Sequence, residues 1–314
     1  MDPCGANGCP DMSMILGELG KKLAERWLSL LVLPGALYLA VVYAAVTLGH
    51  RHALDVQRLM TEITARSVDP AAKMAGGQIT LLVAVLAGAA ALGLAAQTLG
   101  SLAERLILAA DWQTWPAPLR AVAQHAVALR ASRWADLDAV VRVEQRRALL
   151  PAPADRPDPQ RRLRAAHRRS QISVEPPERP TWSGDRIQAA ALRLDRDHHL
   201  DLFSLWPQLS LVLPDPVRTE ITSARSDLTR AANLAGWGVL YAPLARWWWP
   251  AIPLAIVLAF VARHRIRSTV DAYAGLVEAA ARIHATTLAA QLAIDHTGPL
   301  SSDLGDLLYR QNHP

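Results

Sequence analysis

Leu28–Gly49 reads LSLLVLPGALYLAVVYAAVTLG, 22 residues without a charge. About 20 apolar residues suffice for a helix to cross the hydrocarbon core of a bilayer. Pro34 falls early in the run, where neighbouring helices can satisfy the carbonyl it frees. A secretory signal peptide fits less well, because the run is too long and no small-residue cleavage site precedes His50-Arg51-His52. The chain is therefore expected to be a membrane protein, and the remaining sequence is placed outward from this span.

Ile79–Gly100 is a second uncharged run. Its Ala84/Gly88 and Ala89/Gly93 pairs are spaced four apart, as are Ala36, Ala40 and Ala44 in the first run. Such small-residue spacing lets helices approach closely in lipid. Ala231–Ala262 is a third apolar region, interrupted by Arg246-Trp247-Trp248-Trp249-Pro250. A charge held at mid-membrane costs about 3 kcal/mol. A helical hairpin instead puts Arg246 and the tryptophans at an interface, which predicts two arms near 228–245 and 248–263. The expected fold class is all-α: a polytopic membrane protein of about four spans, with three as the alternative.

Trp27, Trp112, Trp115, Trp206, Trp247, Trp248 and Trp249 all fall near predicted span ends, the pattern of an aromatic belt. Lys21, Lys22, Arg26, Arg105, Arg225, Arg230, Arg263, Arg265 and Arg267 flank the spans on one side, which places both termini and residues 101–227 in the cytoplasm. Arg51, Arg58, Arg66 and Lys73 on the other side count against this orientation. The pI of 9.6 and net charge of +5 then suit cytoplasmic loops facing anionic lipid, and disfavour nucleic acid as a partner. Arginine supplies 30 of the 33 basic residues, a bias expected from a GC-rich, bacterial genome.

The domain plan that follows has five parts. Residues 1–27 are a tail ending in an amphipathic helix, Ile15–Trp27, and 28–100 hold the first span pair with its external loop. Residues 101–227 form a helical cytoplasmic region, 228–263 the second span pair, and 264–314 a helical cytoplasmic tail. Within the central region, proline and arginine crowd residues 151–180, which predicts an extended linker. Arg161, Arg162, Arg164, Arg168 and Arg169 form its basic cluster, expected to face solvent or anionic lipid. Leu202–Pro214, LFSLWPQLSLVLP, is too short to span as a helix and too apolar for a solvated loop. It is expected at the membrane face around Trp206, with a soluble core element as the alternative.

Pro180-Thr181-Trp182-Ser183-Gly184-Asp185, followed by Leu200-Asp201 and Trp206-Pro207, resembles a segment of uncharacterised bacterial multi-pass membrane proteins. There Thr-x-x-Gly-Asn precedes Leu-Asp and Trp-Pro; here Asp185 replaces the asparagine. The resemblance implies a membrane context and nothing catalytic.

Asp195-Arg196-Asp197-His198-His199-Leu200-Asp201 is the one run that invites metal or acid–base chemistry. It follows a helical pattern, and the further ligands such a site needs are not apparent. Cys4 and Cys9 make neither a disulfide framework nor a zinc site. No cofactor or metal is expected. The expected role is structural, regulatory or adaptor-like and non-enzymatic, with the bilayer, a second copy or another membrane protein as partner. A small oligomeric channel or membrane-perturbing effector is the alternative.

Overall fold

The computed structural model describes residues 32–67, 75–149, 159–294, 296 and 298–312. Trp27, the Ile15–Trp27 helix, the two cysteines and the first residues of the Leu28 run lie outside them. Among the described residues every regular element is helical: α1 (Leu33–Leu48), α2 (Val56–Ser67), α3 (Ala75–Leu108), α4 (Ala117–Ala148), α5 (Pro159–Ile172), α6 (Trp182–His198), α7 (Leu202–Val212), α8 (Asp215–Tyr241), α9 (Ala251–Gln291) and α10 (Ser302–Asn312). Short 3-10 turns follow α3, at Trp112–Thr114, and α8, at Ala242–Arg246. One helix, from Gly77 to Leu108, is long and apolar enough to cross a membrane by itself. The chain divides into two compact units. Unit 1 holds residues up to Gly100 and Ala235–Ala259; unit 2 holds Ser101–Leu234 and residues from Phe260 onward.

Unit 1 is held by close backbone approach. One face of α3 is buried at Ala89, Gly93, Ala96 and Gly100, a small-residue seam at helical spacing. A Cβ on Gly35 of α1 would lie 2.0 Å from the Ala89 carbonyl oxygen, and one on Gly236 of α8 would lie 2.4 Å from that of Ala96. No side chain fits at either crossing, so glycine sets how near these helices come. The packed face of α1 is Gly35, Tyr38, Ala45 and Leu48, whereas Ala40 is exposed. The Ala36–Ala40–Ala44 face expected from spacing is therefore not the contact, because Tyr38 fills that side. Its ring meets Tyr241 edge-on at 5.0 Å, and its hydroxyl donates to the Leu240 carbonyl at 2.9 Å. That carbonyl lies where α8 tightens into the 3-10 turn and Pro243 brings no N–H.

Within unit 1 the end of α8 and the start of α9 are joined by a turn at Ala242–Pro250 and pack on each other, Tyr241 and Leu244 against Ala251, Leu254 and Leu258. Trp248 donates its indole N–H to the Ala53 carbonyl at 2.9 Å, and His50 Nε2–H donates to the Arg246 carbonyl at 2.9 Å. The hairpin turn is thus tied to the loop between α1 and α2.

Unit 2 has a leucine core built from α6, α7, α8, α9 and α10, including Leu194, Leu205, Leu209, Leu288, Leu304 and Leu308. α6 and α9 run parallel, because Arg186–Asp271, Arg193–Glu278 and Asp197–Arg282 pair at one constant offset of 85 residues. One expectation is corrected here. Residues 159–172 are not an extended linker but α5, which starts on Pro159, the position where proline is tolerated. Ala165 is buried, and Arg169 binds Asp138 of α4 at 2.5 Å, so α5 has a packed face despite its polarity. Within Leu202–Pro214, Leu202, Leu205, Leu209 and Leu213 are all buried in this leucine core, and Trp206 packs partly buried against them. Asp201 caps this helix by accepting from the Phe203 amide at 3.1 Å.

Candidate functional site

The densest polar construction lies within unit 2, around Glu178–Asp185. Thr181 is the N-cap of α6 and accepts from the Gly184 amide at 3.1 Å. Its hydroxyl donates to the Ile107 carbonyl at the end of α3. A Cβ on Gly184 would lie 2.4 Å from the Leu108 carbonyl oxygen, so glycine is what lets α6 start against that helix end. Ala109 then takes a left-handed φ of 44°, closing α3.

Asp185, 4% exposed, turns its carboxylate back on the loop. Oδ1 accepts from the amides of Glu178 at 3.0 Å and Arg179 at 2.8 Å, and Oδ2 faces Arg130 of α4 at 2.5 Å. Burial raises the Asp185 pKa above its ordinary value, while Arg130 and the two amides pull it down. Arg130 also donates to the carbonyls of Arg179 and, at 2.6 Å, Ile172. Trp182 donates to the Ser170 carbonyl at 3.1 Å, and the Arg267 guanidinium of α9 lies 4.5 Å above its ring. The ends or sides of α3, α4, α5, α6 and α9 thus meet on the stretch Glu178–Asp185. Asp185 Oδ2 has the Arg130 ion pair as its partner, and Oδ1 has the two loop amides.

The sequence-derived candidates distribute as follows. Arg161, Arg162, Arg164 and Arg168 are exposed on α5. Arg169 leaves that set, because it pairs with Asp138 and lies 5.4 Å from the Trp134 ring centre. Trp112 and Trp115 sit partly buried in the turn between α3 and α4, and Trp247 and Trp249 are exposed beside the half-buried Trp248. The Asp195–Asp201 run is split among structural tasks. Asp197 pairs with Arg282, His199 caps α6 with a left-handed φ of 51° and meets Asp306 at 3.1 Å, and Asp201 caps α7. Among the described residues no three His, Cys, Asp or Glu side chains gather as a metal site. Sequence reasoning did not single out Arg130 or Asp138. The hidden signal was an acid spaced four from Arg142 on α4, with Asp138 turned inward instead of to solvent.

Among the described residues the fold is all-helical: unit 1 holds three apolar segments and the charged helix α2, and unit 2 is locked by carboxylate–guanidinium pairs. No family model, curated protein or solved structure matches the chain.

Proposed function

We propose that the chain is a multi-pass protein of the bacterial inner membrane, of structural, regulatory or adaptor type and not an enzyme. Unit 1 is its membrane unit, with about four spans, and unit 2 is its cytoplasmic region. The observation that carries this reading is the coincidence of two independent divisions. Between them, residues 32–48, 75–100 and 235–259 hold a single charge, Arg246, and these same residues with the α2 loop form unit 1. Leu33 is 71% exposed and Leu81 65%, so the apolar side chains of unit 1 point outward as lipid-facing residues do. The arms of the second hairpin are shorter than about 20 apolar residues, a mismatch that local bilayer thinning accommodates. The contact of its turn with the α1–α2 loop favours arms that reach the side where the first pair turns.

The adaptor reading rests on continuity. α3 and α9 have residues in both units, and both also join the Thr181–Asp185 junction. A ligand or partner that displaced the junction would act directly on two helices of the membrane unit. Arg161, Arg162, Arg164 and Arg168 would add attraction to anionic headgroups, at most about 1 kcal/mol each.

Single cysteines at Thr61 and Ser132, in a chain with Cys4 and Cys9 replaced by serine, test the topology. An impermeant thiol reagent should label Thr61→Cys in spheroplasts and Ser132→Cys only after permeabilisation. Labelling of Ser132→Cys in intact spheroplasts overturns the orientation, and fractionation of the chain away from membranes overturns the class.

A further inference from the structure

We propose that α2 is an interfacial helix whose Val56–Met60–Ile63 face lies in the headgroup–acyl boundary of the bilayer, in one collar with Trp247 and Trp249. The inference rests on the membrane reading of unit 1 and deepens it by naming what its α2 end binds.

Val56, Met60 and Ile63 follow one another at spacings of four and three, which puts them on one helix face. They are 62%, 62% and 47% exposed, large apolar side chains that the described residues leave uncovered. Gln57, Arg58, Thr61, Thr64 and Ala65 fill the other side. Asp55 begins the helix, its carboxylate accepting from the Arg58 amide at 3.0 Å, and the Arg58 guanidinium donates to His52 Nδ1 at 3.1 Å. Twelve residues with one cap are marginal as a helix in water. An apolar phase against one face supplies what is missing, as for other helices lying in a membrane plane.

The neighbours of α2 identify that phase. The loop leading into it is tied to the hairpin turn by the Trp248–Ala53 and His50–Arg246 hydrogen bonds. That turn carries Trp247 and Trp249, 55% and 45% exposed. Two segments 195 residues apart in sequence are therefore joined within unit 1, and both present side chains suited to the headgroup layer. Arg51 and Arg58 are exposed there, where their long stems let the guanidinium reach phosphate. The tie between α2 and the tryptophan-bearing turn at one end of the apolar segments favours lipid as the occupant over a second copy.

Nitroxide labels at Met60→Cys, Ala65→Cys and Val257→Cys test this in the full chain, with Cys4 and Cys9 replaced, in phosphatidylcholine–phosphatidylglycerol vesicles. The ratio of oxygen to nickel-chelate accessibility should be several-fold higher at Met60 than at Ala65, and highest at Val257, with Met60 at headgroup depth. Equal ratios at Met60 and Ala65 with Val257 still oxygen-rich overturn the α2 assignment and leave the membrane reading standing. A Met60 label shielded from both agents and broadened by a second spin makes the occupant another copy and also overturns it. A nickel-accessible Val257 overturns both readings together.

Discussion

Asp185 carries the most tension of any single residue. It is buried, charged when ionised, and faces one guanidinium and two amides. Its pKa is raised by burial and held back chiefly by Arg130. Because the folded-state value lies above the unfolded one, proton uptake stabilises the fold at pH below the ordinary carboxylate range. That contribution is lost as pH rises through the raised value. Replacing Arg130 by methionine removes the main opposing charge and moves the Asp185 pKa further up. The loss then extends over a wider range. We expect Arg130→Met to destabilise unit 2 by about 3 kcal/mol at neutral pH, the cost of breaking one side of a buried pair. The gap should close in acid, where Asp185 takes up a proton. Melting curves of both proteins from acid to neutral pH measure it, and a gap that does not change with pH would mean that Arg130 acts by packing alone. Thr181 and Gly184 stood out in the sequence only as part of a resembling segment; the N-cap and the close approach they make are seen in the structure. Arg130 was not, because nothing in its own stretch of α4 tells that a loop 49 residues on will lie against it.

At the scale of the element, α3 is read by its glycines and alanines. Its seam meets α1 at Gly35 and α8 at Gly236, each against a backbone carbonyl that cannot turn aside. Gly238, two residues along α8, would bring a Cβ only into ordinary contact, 3.6 Å from Leu258 Cβ. The pair makes an internal control. Gly236→Ala should lower the stability of unit 1 in detergent by about 1–3 kcal/mol through overpacking. Gly238→Ala should leave it unchanged or raise it by up to about 1 kcal/mol, the helix propensity gained. Equal effects at both positions, read from thermal loss of monodisperse protein, would remove the close crossing. The sequence disclosed that α3 is rich in small residues but not which of them face inward. Ala84 and Ala89 look alike in composition, and only the neighbouring helices decide that Ala84 is exposed and Ala89 buried. The same limit explains α5. Prolines at its edges and arginines along it mask a helix whose packed face is made by Ala165 and one ion pair.

For the whole molecule, the segregation of charge in the sequence anticipates the two units, because it records which surfaces must leave water. It could not anticipate that Leu202–Pro214 belongs to the polar unit, since an apolar stretch reads alike whether lipid or leucine covers it. The two units are also held by different forces, and this has a measurable consequence. Unit 1 relies on backbone proximity among helices whose own hydrogen bonds the proposed bilayer would protect. Unit 2 relies on burial of leucine against water and on ion pairs, both of which urea undermines by solvating the unfolded chain. Urea added to the full chain in dodecylmaltoside should therefore remove helix in two steps, unit 2 first. Leu308, 1% exposed in the core of unit 2, provides the marker. Leu308→Ala should lower the midpoint of the first step by the equivalent of about 3 kcal/mol and leave the second in place. Gly236→Ala should act on the second alone, because sites in separately unfolding units do not share their losses. Far-ultraviolet circular dichroism follows both steps. A single transition that both variants shift together would show that α3, α8 and α9 weld the two units into one cooperative body. In that case a disturbance at the Thr181–Asp185 junction would reach unit 1 as a loss of stability and not as a movement of its helices.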